Sequence, residues 1–244
     1  MAETRVLGTR IGTDIVKSVF MKVKAYVAVS SPSIRVYGGA LVGADDGADT
    51  LALITDLYIN IQNNGIDGLD EGSPATGWYA VWLIKQPGGS VRGLLSLHFD
   101  SPHLPNGYTI KRRIGAAYCD GSTLTGCVQM GKKVSWHDAR SVYSPGLMPR
   151  KTWIHISLNS ATPPTVAVGY FQVKGPVTDA NLYLGYETLS NHFVSTSGND
   201  EEDRQDGSGH LTLVLRSQDI YAYRGGHQNE NPVAIWVSGY EDDL

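Results

Sequence analysis

Alternation of apolar and polar residues at period two runs through most of this chain, and it predicts strands. Over Leu51–Gln62, the residues Leu51, Leu53, Thr55, Leu57, Ile59 and Ile61 fall on one face. Ala52, Ile54, Asp56, Tyr58, Asn60 and Gln62 fall on the other, towards solvent or a neighbouring subunit. Val19–Val29 alternates in the same way until Pro32 breaks it. Ile15, Val19 and Val23 also fit a helix capped by Thr13 or Asp14, but alternation accounts for more residues. Trp78–Lys85 is rich in aromatic and β-branched side chains, which suit a pleated surface. Further strands are predicted at Arg92–Phe99, Thr109–Cys119, Thr152–Asn159, Thr165–Val173, Asn181–Glu187, His210–Ser217 and Val233–Tyr240. Gly, Pro, Asn and Asp separate them, and no amphipathic run of ordinary helix length stands out. The expected fold is all-β: two sandwich or jelly-roll-like domains with very little helix.

Two stretches interrupt the pattern. Ser135–Arg150 contains Pro145 and Pro149 and no sustained alternation, so it reads as a junction between a domain over 31–134 and a second over 151–244. A single larger domain with a long crossover is the alternative. Residues 1–30 read as an attachment segment followed by the first strand. Ser195–Gly209 is acidic, polar and poor in apolar residues, and should be an exposed loop. No internal repeat of fixed period is visible.

Composition narrows the function classes. A net charge of −4, with no basic tract longer than Lys111–Arg113, lacks the cationic stripe that displaces counterions from DNA or RNA, so no nucleic-acid partner is expected. The longest apolar stretches, such as Ala80–Ile84, are strand-sized, so membrane insertion is not expected either. The N-terminal residues do not follow a signal-peptide pattern, which predicts folding in a cytoplasm. Cys119 and Cys127 flank a turn and could bridge it; two reduced thiols in an apolar setting are the favoured alternative.

Candidate chemistry is sparse. Glycoside hydrolysis needs two carboxyl groups across a cleft. The one dense group, Asp67, Asp70 and Glu71, lies in a glycine-rich corner where short carboxylates usually accept backbone N–H bonds. Ser135, His137 and Asp138 tempt a triad reading, but adjacent residues of an extended chain point to opposite faces. The other histidines, His98 and His103 among them, read as ordinary surface or turn residues. Asp45, Asp46 and Asp49 lack calcium-loop spacing and read as a solvated turn. No cofactor and no metal are expected, zinc included. Lys111 and Arg113 share one face of a strand while Arg112 opposes them. They suit either a subunit contact or a solvated strand edge. Trp78 and Trp82 suit a core; Tyr221, Tyr223, Arg224 and His227 suggest an exposed loop that could meet a surface ligand.

One resemblance goes further. Gly68–Ser73, Trp78–Ile84, Leu94–Phe99, Leu104–Tyr108, Lys111–Ala116 and Asp120–Gly121 occur in an order that resembles a domain of tailed-bacteriophage and prophage virion proteins of tail-fibre type. The match covers roughly a quarter of the chain, counted from those limits. It implies a non-enzymatic β-sandwich-type structural protein of the virion, a homotrimer. It would contact other virion proteins and, in host attachment, a surface glycan or protein. Placement on the head or neck, a polysaccharide depolymerase and a lectin-like module are the alternatives. The resemblance also favours a structural ion-pair cluster in which Arg112 or Arg113 meets Asp67 or Asp70.

Overall fold

The computed structural model describes residues 23–146, 148–149, 152–174, 182–185, 193–196, 208–224 and 232–244. The attachment segment, the interior of the acidic loop and His227 lie outside them. The chain is all-β, with no helix among the described residues. It divides into two units, the first ending at His137 and the second running Asp138–Asp243. The stretch read as an irregular junction is strand as far as Gly146.

The first unit holds β1 (Lys24–Val27), β2 (Ser33–Val36), β3 (Ala40–Gly43), β4 (Thr50–Leu53), β5 (Leu57–Asn60) and β6 (Gly68–Leu69). β7 (Thr76–Lys85), β8 (Val91–Ser96), β9 (Ile110–Asp120), β10 (Cys127–Met130) and the start of β11 (Lys133–Gly146) complete it. One antiparallel sheet runs β5-β2-β1-β10-β11. A second runs β6-β8-β7-β9, antiparallel except for the β6–β8 pair. β3 and β4 form a separate hairpin.

Leu51–Gln62, expected as one strand, is two. Asp56 causes the break: its Oδ1 accepts the Gly38 amide at 2.9 Å, and its Oδ2 pairs with Arg35 of β2. The partner lies 18 positions back, so no local residue marks the interruption. The face assignment holds except at Thr55, expected inward but exposed beside the break. Leu51, Leu53, Leu57, Ile59 and Ile61 are buried, while Ile54 and Tyr58 are 87% and 57% exposed.

The two sheets of this unit approach closely at two glycines. A Cβ on Gly93 of β8 would sit 2.3 Å from Ile59 Cγ1 of β5, inside contact distance. A Cβ on Gly115 of β9 would meet the Gln129 side chain of β10 at 2.4 Å. Between those contacts, β9 carries a bulge. Val81 pairs with Gly115 and Trp82 with Arg113, leaving Ile114 as the extra residue. Buried Gln129 donates through Nε2 to the Ile114 carbonyl at 2.5 Å and to the Gly131 carbonyl at 2.8 Å. A carbonyl displaced from the ladder thereby gains a partner, which a buried acceptor requires.

The other face of the second sheet has its own cover. Ala80, Trp82, Ile84 and Leu94 form a buried cluster, closed by Phe99, Leu104 and Tyr108 from the connection between β8 and β9. Tyr108 N–H bonds the Pro105 carbonyl at 3.0 Å, closing a four-residue turn whose third residue, Gly107, has φ +83°.

In the second unit β12 (Trp153–Ser157), β13 (Val166–Lys174), β14 (Leu182–Gly185), β15 (Phe193–Thr196), β16 (Ser208–Val214), β17 (Asp219–Arg224) and β18 (Val233–Asp242) follow. They form an antiparallel sheet β12-β17-β14-β15 and another containing β16-β13-β18. Ile156, Leu182, Leu184, Ile220 and Ala222 are buried on the first, and Phe171, Val173, Ile235 and Val237 on the second.

Replacing Gln129 by Leu keeps the side chain's bulk but strips the Ile114 carbonyl of its donor. The expected loss is about 1–3 kcal/mol in urea unfolding, the cost of an unsatisfied buried acceptor. An unchanged midpoint would mean that the bulge does not depend on Gln129.

Candidate functional site

The glycine-rich corner after β5 is built by one carboxylate. Asp67 adopts a left-handed conformation (φ +59°), which Asp tolerates better than most residues. Its Oδ1 accepts the Gly93 amide at 2.8 Å, its own N–H donates to the Gly93 carbonyl at 2.8 Å, and Oδ2 pairs with Arg92. These contacts hold the corner against β8 and let Gly68–Leu69 continue as a parallel strand beside Leu94–Leu95. Asp70 extends the docking: its N–H reaches the Leu95 carbonyl at 2.9 Å, and its Oδ2 accepts the His103 amide at 3.0 Å.

The expected ion-pair cluster is therefore corrected. Asp67 pairs with Arg92, Arg112 lies 3.3 Å from Asp45, and Arg113 stacks its guanidinium 5.6 Å from the Phe99 ring centre. Topology is the reason. β6 and β9 sit at opposite edges of the sheet, with β8 and β7 between them. Three strand spacings amount to about 14 Å, too far for a direct pair.

Strand pairing does bring together three residues that sequence spacing kept apart. Glu71 and His98 leave the same end of two parallel neighbours, β6 and β8, and the chain returns to place His103 beside them. Glu71 Oε2 lies 2.7 Å from His103 Nδ1, and Oε1 lies 3.4 Å from His98 Nε2. The two imidazole rings are 5.0 Å apart. Hydrogen bonding to His103, and then to His98, holds the Glu71 carboxyl below its ordinary range. All three side chains are exposed. No local motif announced this trio. The pairing of β6 with β8 creates it.

The aromatic candidates separate cleanly. Trp78 and Trp82 are buried; Trp78 packs against Tyr118 and Trp136, and Lys111 lies 5.3 Å from the centre of the Trp82 ring. Tyr221 and Tyr223, expected on a loop, are on strand β17. Cross-strand pairing groups Tyr223 with Trp153 (5.1 Å) and Tyr183 (5.9 Å), and Tyr221 with His155 (5.5 Å). His155 Nε2 lies 2.9 Å from Asp219 Oδ1. All but exposed His155 are half-buried, so the group forms a half-buried aromatic face on one side of the sheet. Arg224 does not belong to it. It points the opposite way, alternating with Tyr223, and only 1% of it is exposed. His227 is outside the described residues.

In the acidic turn over Asp45–Asp49, Asp45 reaches out to Arg112 while Asp46 is used within the turn. Asp46 Oδ1 accepts the Ala48 and Asp49 amides at 2.9 and 3.1 Å, which holds its pKa down, the Asp49 bond contributing most. Cys119 and Cys127 are buried free thiols. Burial pushes Cys127 up to about 12 and raises Cys119 as well.

Comparison with protein-family models, curated protein sequences and solved structures finds no match to this chain.

Two expectations follow. Asp67→Ala removes charged contacts at a left-handed residue and should cost about 2–4 kcal/mol in denaturant unfolding; a loss under about 0.5 kcal/mol would show that the corner holds without it. Neither cysteine should react with a thiol reagent at pH 8 until the chain is unfolded. Above an ordinary thiol value of 9.0 the unfolded chain ionises while native Cys127 stays protonated, so stability should fall as pH rises from about 9 towards 12. Rapid native labelling of either thiol would contradict this.

Proposed function

We propose that this chain is a non-enzymatic structural component of a tailed-phage virion, a tail-fibre or tail-tip protein acting in assembly and host attachment. The carrying observation is that the ordered signature folds into one object. Its segments Gly68–Ser73, Trp78–Ile84, Leu94–Phe99, Leu104–Tyr108 and Lys111–Ala116 make up the sheet β6-β8-β7-β9 and the segment covering Trp82. A sequence motif spread over that many pieces thus has a single structural job.

Homotrimeric assembly is part of the proposal. On the outward face of β10-β1-β2-β5, Val128, Tyr26, Arg35 and Tyr58 stand in register across four strands. Val128 and Tyr58 are exposed, and Met130 beside them is 62% exposed. Exposed apolar and aromatic side chains on both sides of the ion-paired Arg35 suit burial against another copy.

The aromatic face of β12, β17 and β14 favours a second, compatible reading: recognition of a host glycan. Pyranose rings stack on Trp and Tyr faces, and His155 with Asp219 supplies hydrogen-bonding groups at the margin. Assembly in the host cytoplasm and release within the particle belong to the same proposal.

Mass spectrometry and reconstruction of purified particles should find the chain on the tail in a multiple of three copies. Its absence from intact particles would overturn the virion role. In sedimentation velocity the purified chain should be trimeric, and Tyr58→Asp with Met130→Asp should shift it towards monomer; a monomeric wild-type chain would sink the trimer.

A further inference from the structure

We propose that Glu71, His98 and His103 form a binding site for a first-row transition-metal ion of the Zn²⁺ class. One ligand atom from each residue lies within 4.8 Å of the other two. Zinc bonds of about 2.0–2.2 Å to nitrogen and oxygen need donor atoms roughly 3–3.5 Å apart. Small side-chain adjustments close that difference.

The backbone carrying these donors is already fixed. His98 N–H bonds Ser96 Oγ at 2.9 Å, His103 N–H bonds Asp70 Oδ2 at 3.0 Å, and Asp70 itself is tied to Leu95 at the end of β8. Only the side chains need to reorganise on binding, which limits the entropy lost. The carboxylate lying between two imidazoles is the arrangement that a metal ion would occupy by displacing the shared protons.

Donor type sets the selectivity. Two imidazole nitrogens and one carboxylate suit zinc, copper, nickel or iron, whereas magnesium and calcium prefer all-oxygen sets. Three exposed protein ligands leave at least one position for water or an outside donor. The location also gives the ion a structural effect. Glu71 belongs to the corner docked on β8, while His98 and His103 flank Phe99 in the segment that covers Trp82. A bound ion would clip cover to corner.

The ordinary alternative is a surface carboxylate–histidine pair with no ion, and the two readings differ in measurable ways. The full chain without an affinity tag, freed of metal by EDTA, is dialysed against micromolar ZnCl₂ and its metal content measured. One zinc per chain is expected, undisturbed by millimolar MgCl₂ or CaCl₂. The melting temperature should rise by about 3–8 °C at zinc concentrations far above Kd, since only the native state binds. Glu71→Gln should weaken affinity about tenfold or more, and His98→Gln with His103→Gln should abolish the one-to-one binding. Circular dichroism checks that the variants fold. Should the double variant fail to fold, Co²⁺ replaces the test on the wild-type chain: visible ligand-field bands of a nitrogen- and oxygen-ligated ion, weakened in Glu71→Gln, are expected. No zinc bound, zinc bound equally well by the variants, or Co²⁺ bands indifferent to Glu71→Gln would each overturn the site.

Discussion

Close approach of two sheets governs the first unit. Gly93 lies against Ile59, and Gly115 against Gln129, at separations that admit no side chain on either glycine. A methyl group at either position must push a packed neighbour aside, and overpacking of this kind typically costs about 1–3 kcal/mol. From that approach follow the burial of Val81, Leu83 and Leu95, the bulge at Ile114 and the need for a polar side chain, Gln129, in an otherwise apolar layer.

The same unit shows how a loop becomes part of a sheet. Asp67 satisfies an amide of β8 with its side chain and a carbonyl of β8 with its backbone, so the following two residues fall into strand register. Only then do Glu71, His98 and His103 converge. The convergence of Glu71, His98 and His103 is thus a consequence of that docking.

Much of this was legible in the residues themselves. The residue pattern identified the all-β class, the strands around Trp78–Lys85, Arg92–Phe99 and Thr109–Cys119, and the inward set over Leu51–Gln62 apart from Thr55, which is exposed. What escaped was long-range. The division at Asp56 depends on Gly38, and the identity of Asp67's partner depends on strand order. Local alternation in Ile220–Tyr223 was a strand signal, yet the neighbouring glycines suggested a loop. Arg224 continues that alternation on the buried side, where charge argues against burial and geometry prevails. The trio of Glu71, His98 and His103 had no spacing rule to reveal it, because a parallel two-residue pairing brings the three together.

The extra residue in β9 has a consequence for how this segment can vary. On a regular strand Arg113 and Gly115 would point the same way; with Ile114 between them, Arg113 accompanies Trp82 outside while Gly115 faces Gln129 within. Ile114 therefore acts as a phase shifter. Flattening the bulge with every residue kept would rotate Lys111 and Arg113 into the space between the sheets, where two uncompensated cations cannot be accommodated. Losing Ile114, by contrast, would leave Val81 opposite Gly115 and Trp82 opposite Arg113. Substitution in this segment is a matter of degree, but the shift of register at Ile114 decides which side of the protein each charge occupies.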